Sequence, residues 1–234
     1  MNYIQATGLQ KIYGTRKIVR EVDIDIHQNE ILAVIGPNGA GKSTTLEMLV
    51  GLRNADQGKI HYWLEKYKAN IGVQLQSVPF FPGLSALENL KLFAAFYKQV
   101  FSNGYLEQIL KKWGLIDSKD TEASKLSGGQ QKRLAIAAAL VHDPELVFLD
   151  EPTAALDPRA RQEIHQLIKQ LFTEGKTVVF TSHDMDEVLK LAQRVIMIDQ
   201  GRIIAEGEPM QLCLEHNVTD LEQLYLNLTT KEEL

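Results

Sequence analysis

The sequence predicts an α/β fold, a mostly parallel sheet covered by helices and interrupted by an inserted helical subdomain. Three observations carry this. Four short apolar, β-branched runs, Ile31–Ile35, Leu146–Leu149 and residues 178–181 and 195–198, look like strands buried on both faces. Longer segments of helical period alternate with them, the pattern of strand and crossover helix. Over residues 80–124 strand signals vanish altogether.

Taken in chain order, the first run is followed by a Gly-rich turn and a helix over residues 44–50. In residues 80–124, Leu87, Leu90, Phe93 and Ala94, then Leu106, Ile109, Leu110 and Trp113, recur at spacings of three and four. Ser127 is an N-cap candidate for a long helix through Lys132, Arg133, Ile136 and Leu140. After the second run, Asp157-Pro158 supplies an N-cap and a proline at the first helical position. Ile164, Leu167, Ile168, Leu171 and Phe172 then form one apolar stripe, ending before Gly175. After the fourth run, Asp199-Gln-Gly-Arg202 reads as a hairpin leading to Ile203 and Ile204 in a terminal strand.

The 234 residues suit one domain, with 44% hydrophobic and 24% charged residues, so disorder and a disulfide scaffold are excluded. A formal charge of −5, from 25 basic and 30 acidic residues, argues against broad nonspecific binding to nucleic acid or acidic lipid. Cys213 is the lone cysteine; it offers neither an internal disulfide nor a zinc spacing and reads as a small apolar filler in a reducing compartment. No signal peptide and no membrane-length apolar run is visible, so direct membrane insertion is not expected and a membrane role requires a partner.

Residues Gly36, Pro37, Asn38, Gly39, Ala40, Gly41, Lys42 and Ser43, followed by Thr44, fit G-x-x-x-x-G-K-[ST] between a strand and a helix. The glycines let backbone N–H groups surround a β-phosphate, and the helix N-terminus adds partial positive charge. Lys42 would bridge β- and γ-phosphates, and Ser43 would give its hydroxyl to Mg²⁺. Asp150 and Glu151 close a buried strand at the sheet edge where open α/β folds bind ligands. There Asp150 can hold Mg²⁺ through water and Glu151 can polarise an attacking water. Ser127, Gly128, Gly129 and Gln130 head a helix with uncovered amides, a second phosphate site.

This ordered set strongly resembles the ATP-binding-cassette (ABC) ATPase family over about residues 3–210. Tyr13 matches the adenine-stacking aromatic, although it can also pack at a turn, and residues 36–44 match the Walker A loop. Gln76 matches the Q-loop glutamine, preferred over Gln74 because Ile-Gly-x-x-x-Gln fits the family spacing. Residues 126–130 match the signature, residues 146–151 the Walker B strand with its catalytic glutamate, Asp157 the D-loop, and His183 the switch histidine. The resemblance implies Glu151, His183 and Gln76 as catalytic groups; Ser43, Gln76 and Asp150 as metal-binding; and Tyr13, residues 36–44, Ser127 to Gln130 and Asp157 as nucleotide-binding.

It also implies a P-loop NTPase core (residues 1–78 and 125–210), a helical subdomain (79–124) and a C-terminal helical extension (211–234). An antiparallel β subdomain lies beside the adenine site. Only Lys59 to Ile71 stand between Gly58 and Gly72, where many relatives carry about ten more residues, so this subdomain is trimmed and its strand count open. The acidic tail after Thr230 is expected to fray.

By resemblance, two such chains pair head to tail, a homodimer, with ATP and Mg²⁺ between one Walker A loop and the other signature. A separate transmembrane permease docks on the helical subdomain, with Gln76, residues 79–84 and the pair Phe80-Phe81 as contact candidates, a core role for that pair being equally open. The chain would sit on the cytoplasmic face of the membrane. Its ending, Val218 to Leu226, resembles cassettes of bacterial two-component exporters; the alternative is a soluble ABC ATPase of translation or DNA repair.

Overall fold

The computed structural model describes residues 1–76 and 80–230, so Pro79 and the acidic tail lie outside the described residues. The main sheet has six strands in the order β5 (Ile71–Gln74), β6 (Leu146–Leu149), β7 (Thr177–Ser182), β3 (Ile31–Ile35), β8 (Arg194–Asp199), β9 (Arg202–Gly207). The first five run parallel and β9 returns antiparallel to β8, as the Asp199–Arg202 turn requires.

Strands β3 and β6 are apolar throughout, and along the central strands successive side chains enter two different cores. Ile31, Ala33 and Ile35 face one core with Val178, Phe180, Val195 and Met197, while Leu32 and Val34 face the other with Val179, Ile196 and Ile198.

The first core is closed by helices α2 (Ala86–Phe96), α3 (Asn103–Lys112), α4 (Gly128–Leu140), α5 (Pro158–Thr173), α6 (Met185–Leu191), α7 (Pro209–Glu215) and α8 (Leu221–Thr230). The expected stripes bury Leu90, Ala94, Leu106, Leu110 and Trp113, while Leu87, Phe93 and Ile109 pack at the margin. Capping explains the helix starts: Ser85, Ser127, Asp157 and Asp184 each accept a backbone N–H from the first turn. Phe80 packs against the core, as one of the two readings expects, whereas Phe81 is 39% exposed. Cys213 is buried among apolar neighbours.

The second core lies under a three-stranded antiparallel sheet, β2 (Arg16–His27), β1 (Asn2–Tyr13), β4 (Gln57–Tyr62), and helix α1 (Lys42–Leu49). The connection after β4 is held by aromatic contacts, Tyr3 with Trp63 at 4.5 Å and Tyr62 stacked on Tyr67 at 3.5 Å. The antiparallel sheet is tied to the main one by Arg194 of β8. Its guanidinium grips Glu30 with two nitrogens, at 2.7 and 3.0 Å, and also donates to the Asp25 carbonyl of β2 at 2.6 Å.

Helix α1 begins at Lys42, two residues before the expected Thr44. Its N-cap is Gly41 in the left-handed region (φ 105°), with no side-chain cap. A capping rule that looks for Ser or Thr points instead to Ser43.

Candidate functional site

The Gly-rich loop leaves the C-terminal end of β3, at the middle of the parallel sheet. Gly36 has a φ of 149°, and a Cβ there would collide with the carbonyl oxygen of Ile198 on the neighbouring strand. At Gly41 a Cβ would stand 2.8 Å from the carbonyl oxygen of Ile18. The loop is thus wedged between β8 and β2, and only glycine fits at either point. Without a side-chain cap or an acidic residue in its first turn, α1 presents its N-terminal amides and partial positive charge to the loop.

Lys42 is 5% exposed and folds back over the loop, donating from Nζ to the carbonyls of Gly36 at 2.8 Å and Pro37 at 3.1 Å. Burial pulls its pKa down, while Glu151 and Asp150 pull it up.

Asp150 follows β6 and is 7% exposed. Its Oδ1 accepts from Thr181 Oγ1 at 2.6 Å and Ser43 Oγ at 3.2 Å. Thr181 also takes the backbone N–H of Glu151 at 2.8 Å, and the Lys132 ammonium donates to the Glu151 carbonyl at 3.0 Å. Burial lowers the pKa of Lys132, partly countered by Asp150 and Glu151. The Glu151 backbone is left-handed, φ 46°, a conformation that a non-glycine residue holds only where its surroundings enforce it.

The Glu151 carboxylate lies beside the two other groups that the resemblance implies as catalytic. Gln76 Nε2 is 3.4 Å from Oε2, and His183 Nδ1 is 3.6 Å from Oε1. Gln74 is instead buried on β5, donating to the carbonyls of Leu75 and Asp150.

A cavity of about 480 Å³, within the usual size of small-molecule sites, opens above the loop. Tyr13, Arg16 and Ile18 line it from the antiparallel sheet, Asn38, Gly39 and residues 41–44 from the loop and α1, and Gln76 and Glu151 from the ends of β5 and β6. Tyr13 is 43% exposed, with the Arg53 guanidinium 5.4 Å from its ring centre. Gly36, Pro37 and Ala40 shape the loop without lining this cavity. Gly36 and Pro37 border a neighbouring space of about 520 Å³ together with His183 and Tyr225 of α8.

Ser127, Gly128, Gly129, Gln130 and Asp157 do not reach this cavity. Ser127 and Gln130 close a reciprocal capping box at the start of α4, and Gln130 also donates to Ser118 Oγ at 3.1 Å. Asp157 Oδ1 caps α5 by accepting from the N–H groups of Arg159 and Ala160 at 2.9 and 3.0 Å. The start of α4 therefore contributes nothing to the cavity at the start of α1.

Sequence reasoning missed Thr181, Lys132 and Arg16. Thr181 carries a signal only in register: β6 pairs Leu149 with Phe180, which sets Thr181 opposite Asp150.

The hard oxygen donors at the loop suit a small divalent cation. Ser43 and Asp150 already share a hydrogen bond, and no cluster of three His, Cys, Asp or Glu exists among the described residues. A cation would therefore complete its shell with water and ligand oxygens, the habit of Mg²⁺ rather than zinc.

The family described as ABC transporter matches residues 19–154. The linearmycin resistance ATP-binding protein LnrL of Bacillus subtilis is 37% identical over 219 residues, which span 90% of this chain and 70% of that protein. The Nod factor export ATP-binding protein I of Cupriavidus metallidurans is 34% identical over 232 residues, 95% of this chain and 76% of that one. Among solved structures, the ATP-binding cassette MJ0796 in a dimeric post-hydrolysis state with ADP and Pi superposes with a TM-score of 0.79. It has 29% identity, over 88% of this chain and 98% of that one.

Proposed function

We propose a catalytic and transport cycle for this chain from the premise that it belongs to the ABC transporter family, as an ATP-binding and ATP-hydrolysing subunit that energises transport through a separate permease. The observation that carries the cycle is the convergence of Lys42, Ser43, Gln76 and Glu151 on one loop-lined cavity, with Asp150 bonded to Ser43 and His183 3.6 Å from Glu151 at its border, while Ser127 to Gly129 lie elsewhere.

The loop amides and Lys42 bind the β- and γ-phosphates, and the Tyr13 ring stacks on the adenine. Ser43 and Asp150, with Gln76, would hold Mg²⁺, which when bound would neutralise charge on the phosphate oxygens. Glu151 accepts the proton of a water whose oxygen bonds to the γ-phosphorus as the bond to the β–γ bridging oxygen breaks, releasing ADP and phosphate. His183 faces the γ-phosphate and keeps the Glu151 carboxylate turned toward it.

One chain supplies only part of the phosphate shell. The signature helix start, Ser127 to Gly129, and Asp157 serve the site of a second identical chain in a head-to-tail homodimer, and ATP is held at the seam. Closure around ATP moves the helical subdomain, and the permease reads that motion through Gln76 and the exposed Phe81. No helix among the described residues is long and apolar enough to cross a membrane. The chain accordingly binds at the cytoplasmic membrane face through its permease. Both relatives named above carry export or resistance names, so the direction is outward.

The test is twofold. The purified chain is expected to hydrolyse Mg-ATP, and a tagged copy is expected to co-purify with a polytopic membrane protein from detergent-solubilised membranes. An active ATPase recovered only with soluble translation or repair factors would replace the transport reading.

A further inference from the structure

Glu187 belongs to none of the nucleotide motifs, yet it is a carboxylate only 1% exposed. It lies in the first turn of α6, where its N–H is capped by Asp184 Oδ1 at 3.1 Å. Its carboxylate collects donors from three other segments. Oε2 accepts from Thr153 Oγ1 at 3.0 Å and Ser182 Oγ at 2.7 Å, and Oε1 accepts from His165 Nε2 at 2.8 Å. Burying a carboxylate is unfavourable unless such donors replace water, so the cluster is held as a unit.

The identity of those donors matters. Thr153 stands two residues after Glu151, Ser182 immediately precedes His183, and His165 belongs to the helix capped by Asp157. A second tie joins the same helices, Arg161 Nη1 to Asp184 Oδ2 at 3.0 Å. By contrast, His183 is weakly held by its own contacts: its side chain is 57% exposed, and its approach to Glu151 at 3.6 Å is too long for a strong hydrogen bond. Besides the Thr181 and Lys132 bonds to the Glu151 backbone, the positions of His183 and Glu151 rest on side-chain hydroxyls one and two residues away, and both hydroxyls end on one oxygen of Glu187.

We infer that Glu187, steadied by His165, is a positioning residue for ATP hydrolysis: it sets the separation of Glu151 and His183 by holding Thr153 and Ser182 together. The inference rests on the ATPase reading above and adds to it a residue that touches neither nucleotide nor metal.

The experiment measures steady-state ATPase and equilibrium nucleotide binding for the full chain and two variants. Glu187→Ala is expected to lower kcat at least about tenfold while KM and nucleotide affinity stay within about twofold, because Lys42, Ser43 and Tyr13 make no contact with it. Glu187→Gln keeps an oxygen for the two hydroxyls and turns its amide to His165, which can present an unprotonated Nε2. It is expected to restore kcat to within about threefold of wild type. An unchanged kcat in a folded Glu187→Ala chain overturns the inference, as does a loss that Gln does not repair or a KM that rises in step.

If Glu187→Ala does not fold, Thr153→Val, Ser182→Ala and their double variant decide. Each single change is expected to lower kcat several-fold, and the double by less than the product, because the two hydroxyls share one acceptor. Unchanged kcat in both singles overturns the inference. An inactive wild-type chain would overturn the ATPase reading itself, whereas an active one with an indifferent Ala variant overturns only the role of Glu187.

Discussion

The Lys42 ammonium lies 2.8 Å from the carbonyl oxygen of Gly36, so the loop is latched by the same cation that its phosphate ligand would recruit. Desolvation already pulls the Lys42 pKa down, and the phosphates restore a counter-charge. Lys42→Ala should therefore reduce kcat/KM for ATP by at least about 100-fold with the fold intact. Steady-state ATPase and far-UV circular dichroism check this; equal rates in mutant and wild type would sink it.

Glu151→Gln separates binding from chemistry. The amide cannot take the proton of water, yet it keeps the size and the contacts to Gln76 and His183. ATP binding should persist while kcat falls by several powers of ten, on the order of 10³ or more. The trapped chain should elute as a dimer with Mg-ATP in gel filtration. A monomer that hydrolyses normally contradicts both the role and the pairing.

The separation of the Ser127 helix start from the Lys42 cavity makes a test in trans possible. A helix start acts only within about its first turn, so it must reach the γ-phosphate of another chain. Lys42→Ala and Ser127→Arg chains should each be inactive alone. Mixed, they form one site with intact loop and intact signature, and activity should exceed the sum of the separate mutants. Strictly additive rates in a confirmed heterodimer would refute action in trans.

His142 gives a pH dependence that has nothing to do with chemistry. Its ring stacks on Tyr97 at 3.5 Å and pairs through Nε2 with the Ile71 carbonyl, while Nδ1 is buried without a partner. Desolvation, chiefly, pushes its pKa down to about 4. In the unfolded chain an ordinary histidine protonates near pH 6.5, so between about pH 6.5 and 4 the unfolded state binds the extra proton and stability falls with pH. The loss at this site is at most about 3 kcal/mol. Urea melts across that window should show a shallower acid decline for His142→Gln than for wild type, and parallel declines would discount His142.

Much of this arrangement is legible in the chain because each element carries its own local cause. The strand cores are apolar on both faces, and Ser127 and Asp157 cap the helices they were expected to cap. What escaped reading depends on register or on distant packing. The Ile71–Gln74 strand is four residues long and contains a glycine, and it becomes a strand because Gly72 lets it lie against the Ala139 backbone. Strands β1 and β2 are twelve residues each, but bulges break their alternation into no clean period. Thr181 and Lys132 look like ordinary strand and helix residues; only neighbouring strand ends and a helix packed across them bring both to Glu151.

Strand β3, which presents the nucleotide loop, finds its two neighbours far along the chain: residues 31–35 pair with 178–182 on one side and 32–35 with 194–197 on the other. During synthesis, then, the loop emerges early but waits for nearly the whole polypeptide before its strand is flanked. At about 5–20 residues per second that delay is on the order of ten seconds. Through that interval five consecutive apolar residues have no sheet to join. The nascent chain must be shielded by a chaperone or transient collapse, and a ribosome that stalls ahead of β7 releases a product with no assembled nucleotide site.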